Sequence, residues 1–160
     1  MIELGFERAT LADIAAEASI RRPSLLYHFE TKDVLYRAVI RRVFDALKQS
    51  LLAEMKPAPF EEQVENLMDA FLNFVKSRPA FAPLVLRDII DGNGPSHSIL
   101  ANEIDPVLSL VEHWVTAEGQ KQLAPDFPVR AALLQICSTT MLYASSGNLQ
   151  NWARIRRRDI

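Results

Sequence analysis

Apolar residues recur at helical spacing between prolines along almost the whole of this chain, and that pattern leaves little room for anything but helices. The clearest case runs from Phe60 to Lys76, where Val64, Leu67, Met68, Phe71, Leu72 and Val75 fall on one stripe. A period near 3.6 is what a helix with one buried face requires. Glu61 and Glu62 stand in its first turn, where the helix dipole favours acids. The same reading predicts helices over Leu11–Glu17, from near Pro23 to about His28, and from Lys32 to Glu54. Others are expected from Pro79 to about Ile90, from Ser98 to Gln120 with a bend or break near Pro106, and from about Val129 to Ser146. Gly147 ends the last of these, and another helix begins at Asn148. Pro57 and Pro59 punctuate the middle of the chain, and Asp91-Gly92-Asn93-Gly94-Pro95 reads as a turn. No convincing strand pattern appears, so the fold class is all-α.

Composition narrows the function classes. The chain has 160 residues, 49% hydrophobic and 24% charged, which suits a globular protein with a real core. No apolar run approaches the roughly 18 residues of a membrane span. Met1-Ile2-Glu3-Leu4 carries no basic region, so no secretory signal is read. The single cysteine, Cys137, can form neither an intrachain disulfide nor a cysteine-rich zinc site. A cytoplasmic protein is expected. The net charge of −2 excludes a surface coated in positive charge, but it leaves room for a basic patch on one face.

The most informative segment is Thr10–Phe29, TLADIAAEASIRRPSLLYHF. Two short helices joined by a tight turn have helix-turn-helix spacing. Thr10 and Asp13 form a T-x-x-D capping box at the first helix, and Pro23 suits the start of the second. Ile14, Ile20 and Leu25 are expected to meet in a small core, with Ala15 and Ala18 where the helices approach. The second helix then offers Arg22, Ser24, Tyr27 and His28 outward. A helix of this kind fits the major groove, where Arg reads guanine or holds phosphate, and Ser, Tyr and His donate to phosphate. Two alternatives stay open here: His28 as a packed or capping histidine, and Tyr27 as a core side chain. Thr31 caps the long helix, and Lys32 adds charge to its exposed N–H groups to make a phosphate site.

T-L-A-D-I-A, S-I-R-R-P-S-L-L-Y-H-F and T-K-D-V-L, in this order and spacing from Gly5 to about Leu35, resemble the DNA-binding domain of TetR-family repressors. The segment Ser77-Arg78-Pro79-Ala80-Phe81 through Leu86-Arg87-Asp88 is similar to the sixth helix of many members. The resemblance implies a homodimer that places two recognition helices on a palindromic operator. It also implies a ligand pocket in the C-terminal domain and an interface built by the last two helices. By position, Thr10, Arg22, Pro23, Ser24, Tyr27, His28 and Lys32 match the family's DNA-contacting residues. Three residues depart from the pattern. Ser19 stands where glycine is usual; a left-handed conformation there would cost on the order of 1 kcal/mol. Arg21 replaces a capping Ser and is expected to meet phosphate instead. Leu26 replaces a backbone-contacting Tyr. Members also carry a helix ahead of the Gly-Phe pair, here Gly5-Phe6, where this sequence offers only Met1 to Leu4. The expectation is that this helix precedes the sequence given.

Residues 1–43 are therefore expected to form the DNA-binding unit and residues 44–160 a helical sensing and dimerising domain. Phe71, Phe74, Phe81, Val85, Leu110, Trp114, Cys137 and Met141 are candidate effector-cavity residues, each equally readable as core. The helix after Pro128 is apolar on more than one face, which asks for burial on more than one side; Leu134, Leu142 and Tyr143 are assigned to a dimer interface. The largely apolar pocket calls for a small, largely apolar effector. No catalytic motif is present, so no enzymatic role is read. His97, His113 and Cys137 lack metal-ligand spacing, so neither metal nor cofactor is expected. The run Arg154-Ile155-Arg156-Arg157-Arg158 reads as a solvated helix end. The competing reading is a helical dimeric protein-interaction module that has lost DNA binding.

Overall fold

The structure, a computed structural model, describes residues 9–92 and 95–146 and, of residues 91 and 95–97, the backbone alone. Gly147, the helix expected from Asn148 and the basic run Arg154–Arg158 lie outside the described residues. Within them the chain forms seven helices and no strand: α1 (Leu11–Glu17), α2 (Arg22–His28), α3 (Lys32–Leu52), α4 (Phe60–Ser77), α5 (Phe81–Asp91), α6 (Pro95–Glu118) and α7 (Val129–Ser145). None of them is long and apolar enough to cross a membrane.

Two hydrophobic clusters organise these helices. The small one joins Ala15 of α1, Leu25 of α2 and Leu35 of α3, with Leu11, Ile14 and Phe29 around them. The large one begins one residue later on the same helix: Tyr36, Ile40, Phe44, Leu47 and Leu51 of α3 pack among α4, α5 and α6. The 21-residue α3 therefore belongs to both cores. Ile40 is completely buried, and Phe81 at the start of α5 sits edge-on to Phe44 (5.6 Å between centroids) and Phe74 (5.3 Å). Two expected members of the small core are not in it. Ile20 is 45% exposed and Ala18 is exposed; both lie in the turn between α1 and α2, on either side of Ser19.

The break expected near Pro106 is also absent, since α6 runs through that residue. An interior proline costs a helix about 3 kcal/mol through its lost N–H and a clash with the preceding turn. Here Leu100, Ile104, Val107 and Val111 all pack on the large core, and their burial outweighs the local penalty. At the end of α6 the chain passes close under Phe60. A Cβ on Gly119 would lie 2.8 Å from that ring and 2.6 Å from the Val115 carbonyl oxygen, which is why no side chain is found there.

Three polar contacts fasten the bundle. The Tyr36 hydroxyl donates to Asp88, tying α3 to α5; burial, with the carboxylate beside it, holds the phenol well above its ordinary pKa. The Gln63 amide donates to the Lys56 carbonyl (2.9 Å) and so closes the loop between α3 and α4. Arg130, in the first turn of α7, spans α6: it bonds Glu112 (2.8 Å), Asp105 and Ser109 (3.3 Å). Glu112, then Asp105, raises the pKa of this guanidinium. Spacing of 105, 109 and 112 places all three partners on one stripe of α6.

Candidate functional site

The helix-turn-helix unit is built by short-range chemistry. Asp13 N–H donates to the Thr10 hydroxyl oxygen (3.2 Å), and the Asp13 carboxylate accepts from Thr10 N–H (2.9 Å) and O–H (2.6 Å). These bonds depress the Asp13 pKa, the side-chain bond from Thr10 first. Thr10 thus gives its one hydroxyl proton to the cap, so in this arrangement it has no donor left for a phosphate. The α1–α2 turn closes with Ser19 N–H on the Ala16 carbonyl (3.0 Å) and Ile20 N–H on the Ala15 carbonyl (2.9 Å). That geometry puts Ser19 at φ +56°, the left-handed region that glycine adopts more easily. Ser19→Gly is accordingly expected to raise stability by roughly 1 kcal/mol, read from urea midpoints at unchanged m-value; a loss would mean that the Ser19 side chain is needed in the turn.

The recognition helix follows with Arg21 at its N-cap, extended and without a side-chain capping bond, and Pro23 in its first turn. Leu25 points into the small core, while Arg21, Arg22, Pro23, Ser24 and His28 are exposed and Tyr27 is 85% exposed. Exposure argues against core packing for both Tyr27 and His28, which meet edge-on outside the core (5.1 Å, 82°); His28 stands in the last turn of α2, where a capping role stays open. Leu26 lies at the margin of the same face. No acid interrupts α2. Thr31 caps α3 by accepting from Val34 N–H (3.3 Å), which sets the half-buried Lys32 in that helix's first turn. The arrangement is a convex, cation-bearing helix held by three buried apolar side chains, which can enter a groove without distorting its own core.

A second feature lies inside the bundle. A cavity of about 180 Å³ opens among α3, α4, α5, α6 and α7. Phe44, Leu47 and Leu51 of α3 line it, with Val64, Leu67, Met68 and Phe71 of α4, and Val85, Leu86 and Ile89 of α5. From α6 come Ile104, Val107, Leu108, Val111 and Val115; from α7 come Leu133, Leu134, Ile136, Cys137, Ser138 and Met141. Four sequence candidates, Phe71, Val85, Cys137 and Met141, are therefore at the cavity. Phe74 and Phe81 stack in the core behind it, and Leu110 and Trp114 lie on the flank of α6. The α6 lining repeats at 104, 107, 108, 111 and 115; position 110 falls off that face, while Trp114 sits at its edge and packs on the large core. The α4 stripe that most clearly signalled a helix is the cavity wall on that side. Burial pushes the Cys137 thiol up to about 11, so it stays protonated near neutrality and acts as a small apolar group. On α7, Leu134, Leu142 and Tyr143 are 46%, 53% and 50% exposed.

Comparison with known proteins follows the same division. Residues 1–39 match the family described as "Bacterial regulatory proteins, tetR family". The chain is 28% identical over 153 residues to the HTH-type transcriptional regulator RutR of Escherichia coli O157:H7, covering 89% of this chain and 67% of that protein. It is 36% identical over 73 residues to the biofilm operon icaADBC HTH-type negative transcriptional regulator IcaR of Staphylococcus aureus strain Newman, covering 46% of this chain and 38% of that one. The fold is shared with the crystal structure of the TetR-family transcriptional regulator PfmR of Thermus thermophilus: TM-score 0.73 at 14% identity, over 92% of this chain and 80% of that one. These relatives are regulators of transcription. In its helix-turn-helix, and in a helical bundle of the same fold, the chain is similar to transcriptional regulators of the TetR family.

Proposed function

We propose that the protein is a ligand-responsive repressor that binds a palindromic operator as a homodimer and leaves it when a small, largely apolar effector enters the bundle. The observation that carries this reading is α3. Its first turns give Leu35 to the core beneath the recognition helix, and the same unbroken helix gives Phe44, Leu47 and Leu51 to the cavity. A ligand that repacks the distal half of α3 has a rigid element through which to move its proximal half. It shifts the equilibrium only by its differential affinity for the two arrangements. We divide the chain within α3: residues 1–43 read DNA and 44–160 sense and dimerise, with Tyr36 and Ile40 as the overlap. Repression follows the description of IcaR as a negative regulator. In this reading Arg21, Arg22, Ser24, Tyr27, His28 and Lys32 meet DNA, while Thr10 and Pro23 shape the helices that present them.

The homodimer rests on α7, where Leu134, Leu142 and Tyr143 are large apolar side chains left about half exposed. Leu134→Glu and Tyr143→Glu are each expected to raise the dimer Kd by at least about tenfold, because a carboxylate would be desolvated without a partner. Tyr143 does not line the cavity, so its variant separates dimer loss from cavity damage. Unchanged mass in sedimentation at low micromolar concentration would remove this interface. The function itself is tested by selecting binding sites from random duplex DNA at two salt concentrations. A recovered palindrome whose affinity falls steeply with salt supports the repressor. A folded dimer that recovers no motif would instead be a protein-interaction module.

A further inference from the structure

Building on the ligand-responsive reading, we propose that the cavity takes a neutral, hydrocarbon-like molecule about the size of a substituted benzene, holds it by burial alone, and rejects ionised molecules. Size sets the first limit. A cavity of about 150 Å³ lined by Leu, Ile and Phe stays dry and binds benzene; this one is somewhat larger, at about 180 Å³, and has the same kind of lining. One ring with a short alkyl substituent fills it.

Chemistry sets the second limit. Among the described residues, no side chain that lines the cavity carries a charge. The one hydroxyl, on Ser138, already donates to the Leu134 carbonyl of its own helix (2.6 Å). Among the described residues two buried side-chain oxygens lack a partner, Gln63 Oε1 and Asp88 Oδ2, and neither residue lines the cavity. An ion entering here gives up its hydration and finds neither counter-ion nor hydrogen-bond partner, so the transfer is strongly unfavourable. A polar group of any kind meets the same deficit, smaller in size. The opening offers no exception. Met68, Ile89 and Ile136 are lining residues at least 40% exposed; they make an apolar collar between α4, α5 and α7, and among the described lining residues there is no cation to hold an acid's head at the mouth. Met68 is unbranched and flexible enough to let a ring pass.

The test is calorimetric titration of the whole protein, without DNA, with ethylbenzene and with phenylacetate. Ethylbenzene is expected to bind at least tenfold tighter, with a negative heat-capacity change and no dependence on salt. Val111→Phe, which pushes a ring into the cavity from α6, should weaken ethylbenzene at least tenfold while thermal melting shows the protein still folded. Should that variant unfold, Ser138→Lys replaces it. Ser138 is exposed at the cavity, and a cation there should narrow or reverse the preference for ethylbenzene. Phenylacetate binding as tightly as ethylbenzene to the unsubstituted protein would overturn the proposal. So would ethylbenzene affinity undiminished in folded Val111→Phe. Operator release is read separately. Ethylbenzene that binds without releasing DNA upholds the cavity's specificity and removes its role as an effector site. An anion that releases DNA where ethylbenzene fails to bind overturns the specificity and leaves the repressor standing.

Discussion

Replacing Phe81 by alanine is expected to cost about 3–5 kcal/mol of stability, the range for emptying a buried aromatic site. Phe81 is 3% exposed and meets two rings edge-on, Phe44 of α3 and Phe74 of α4. Each such pair contributes about 0.5–1.5 kcal/mol beyond the area it buries. The loss is a large share of the roughly 5–15 kcal/mol that holds an ordinary domain together. It should lower the urea midpoint markedly. Phe81→Leu, which keeps most of the volume, should cost clearly less. Phe44 leans on Phe81 and also lines the cavity, so ligand affinity should fall with stability in the alanine variant. A loss below about 1 kcal/mol would mean that the α4–α5 corner collapses to fill the hole, and that the rings do not brace α3.

The second large effect is on DNA. Arg22→Ala is expected to cost about 1–3 kcal/mol on a selected operator, roughly 5- to 150-fold, and to relax preference at one base pair. Lys32→Ala should weaken every sequence alike and reduce the slope of log affinity against log salt by about 1. The difference comes from placement. Arg22 is exposed in the first turn of a helix presented outward by Leu25, whereas Lys32 is half-buried in the first turn of α3 beside the Thr31 cap. Binding measured on the operator and its single-base variants, at two salt concentrations, separates the two roles. Equal losses for Arg22→Ala on every variant would leave it a phosphate contact only.

Both experiments address the proposed coupling from opposite ends of α3. Phe81 braces the half that lines the cavity, and Arg22 sits on the helix that Leu35 supports. The Tyr36–Asp88 bond lies near the point where the two cores meet.

Local order along the chain was enough to write down most of the DNA-facing unit. The Thr10–Asp13 capping box, the left-handed Ser19, the uncapped start at Arg21 and the outward side of α2 all depend on residues within four positions of one another. Helical period, prolines and caps settle such features before any long-range contact forms. The same holds for the extent of α4, whose apolar stripe was legible without a partner. What surrounds a helix was another matter. Pro106 argues for a break, and the break is absent because Leu100, Ile104, Val107 and Val111 are buried together. Ile20 looks like core and is 45% exposed, in the turn just after the left-handed Ser19. Phe74, Phe81, Leu110 and Trp114 do not line this cavity, since membership depends on how the packed helices face one another, and a crossing angle is not written in a period. The Arg130 clamp and the Tyr36–Asp88 bond join residues 18 to 52 positions apart; only the packed bundle brings them within reach.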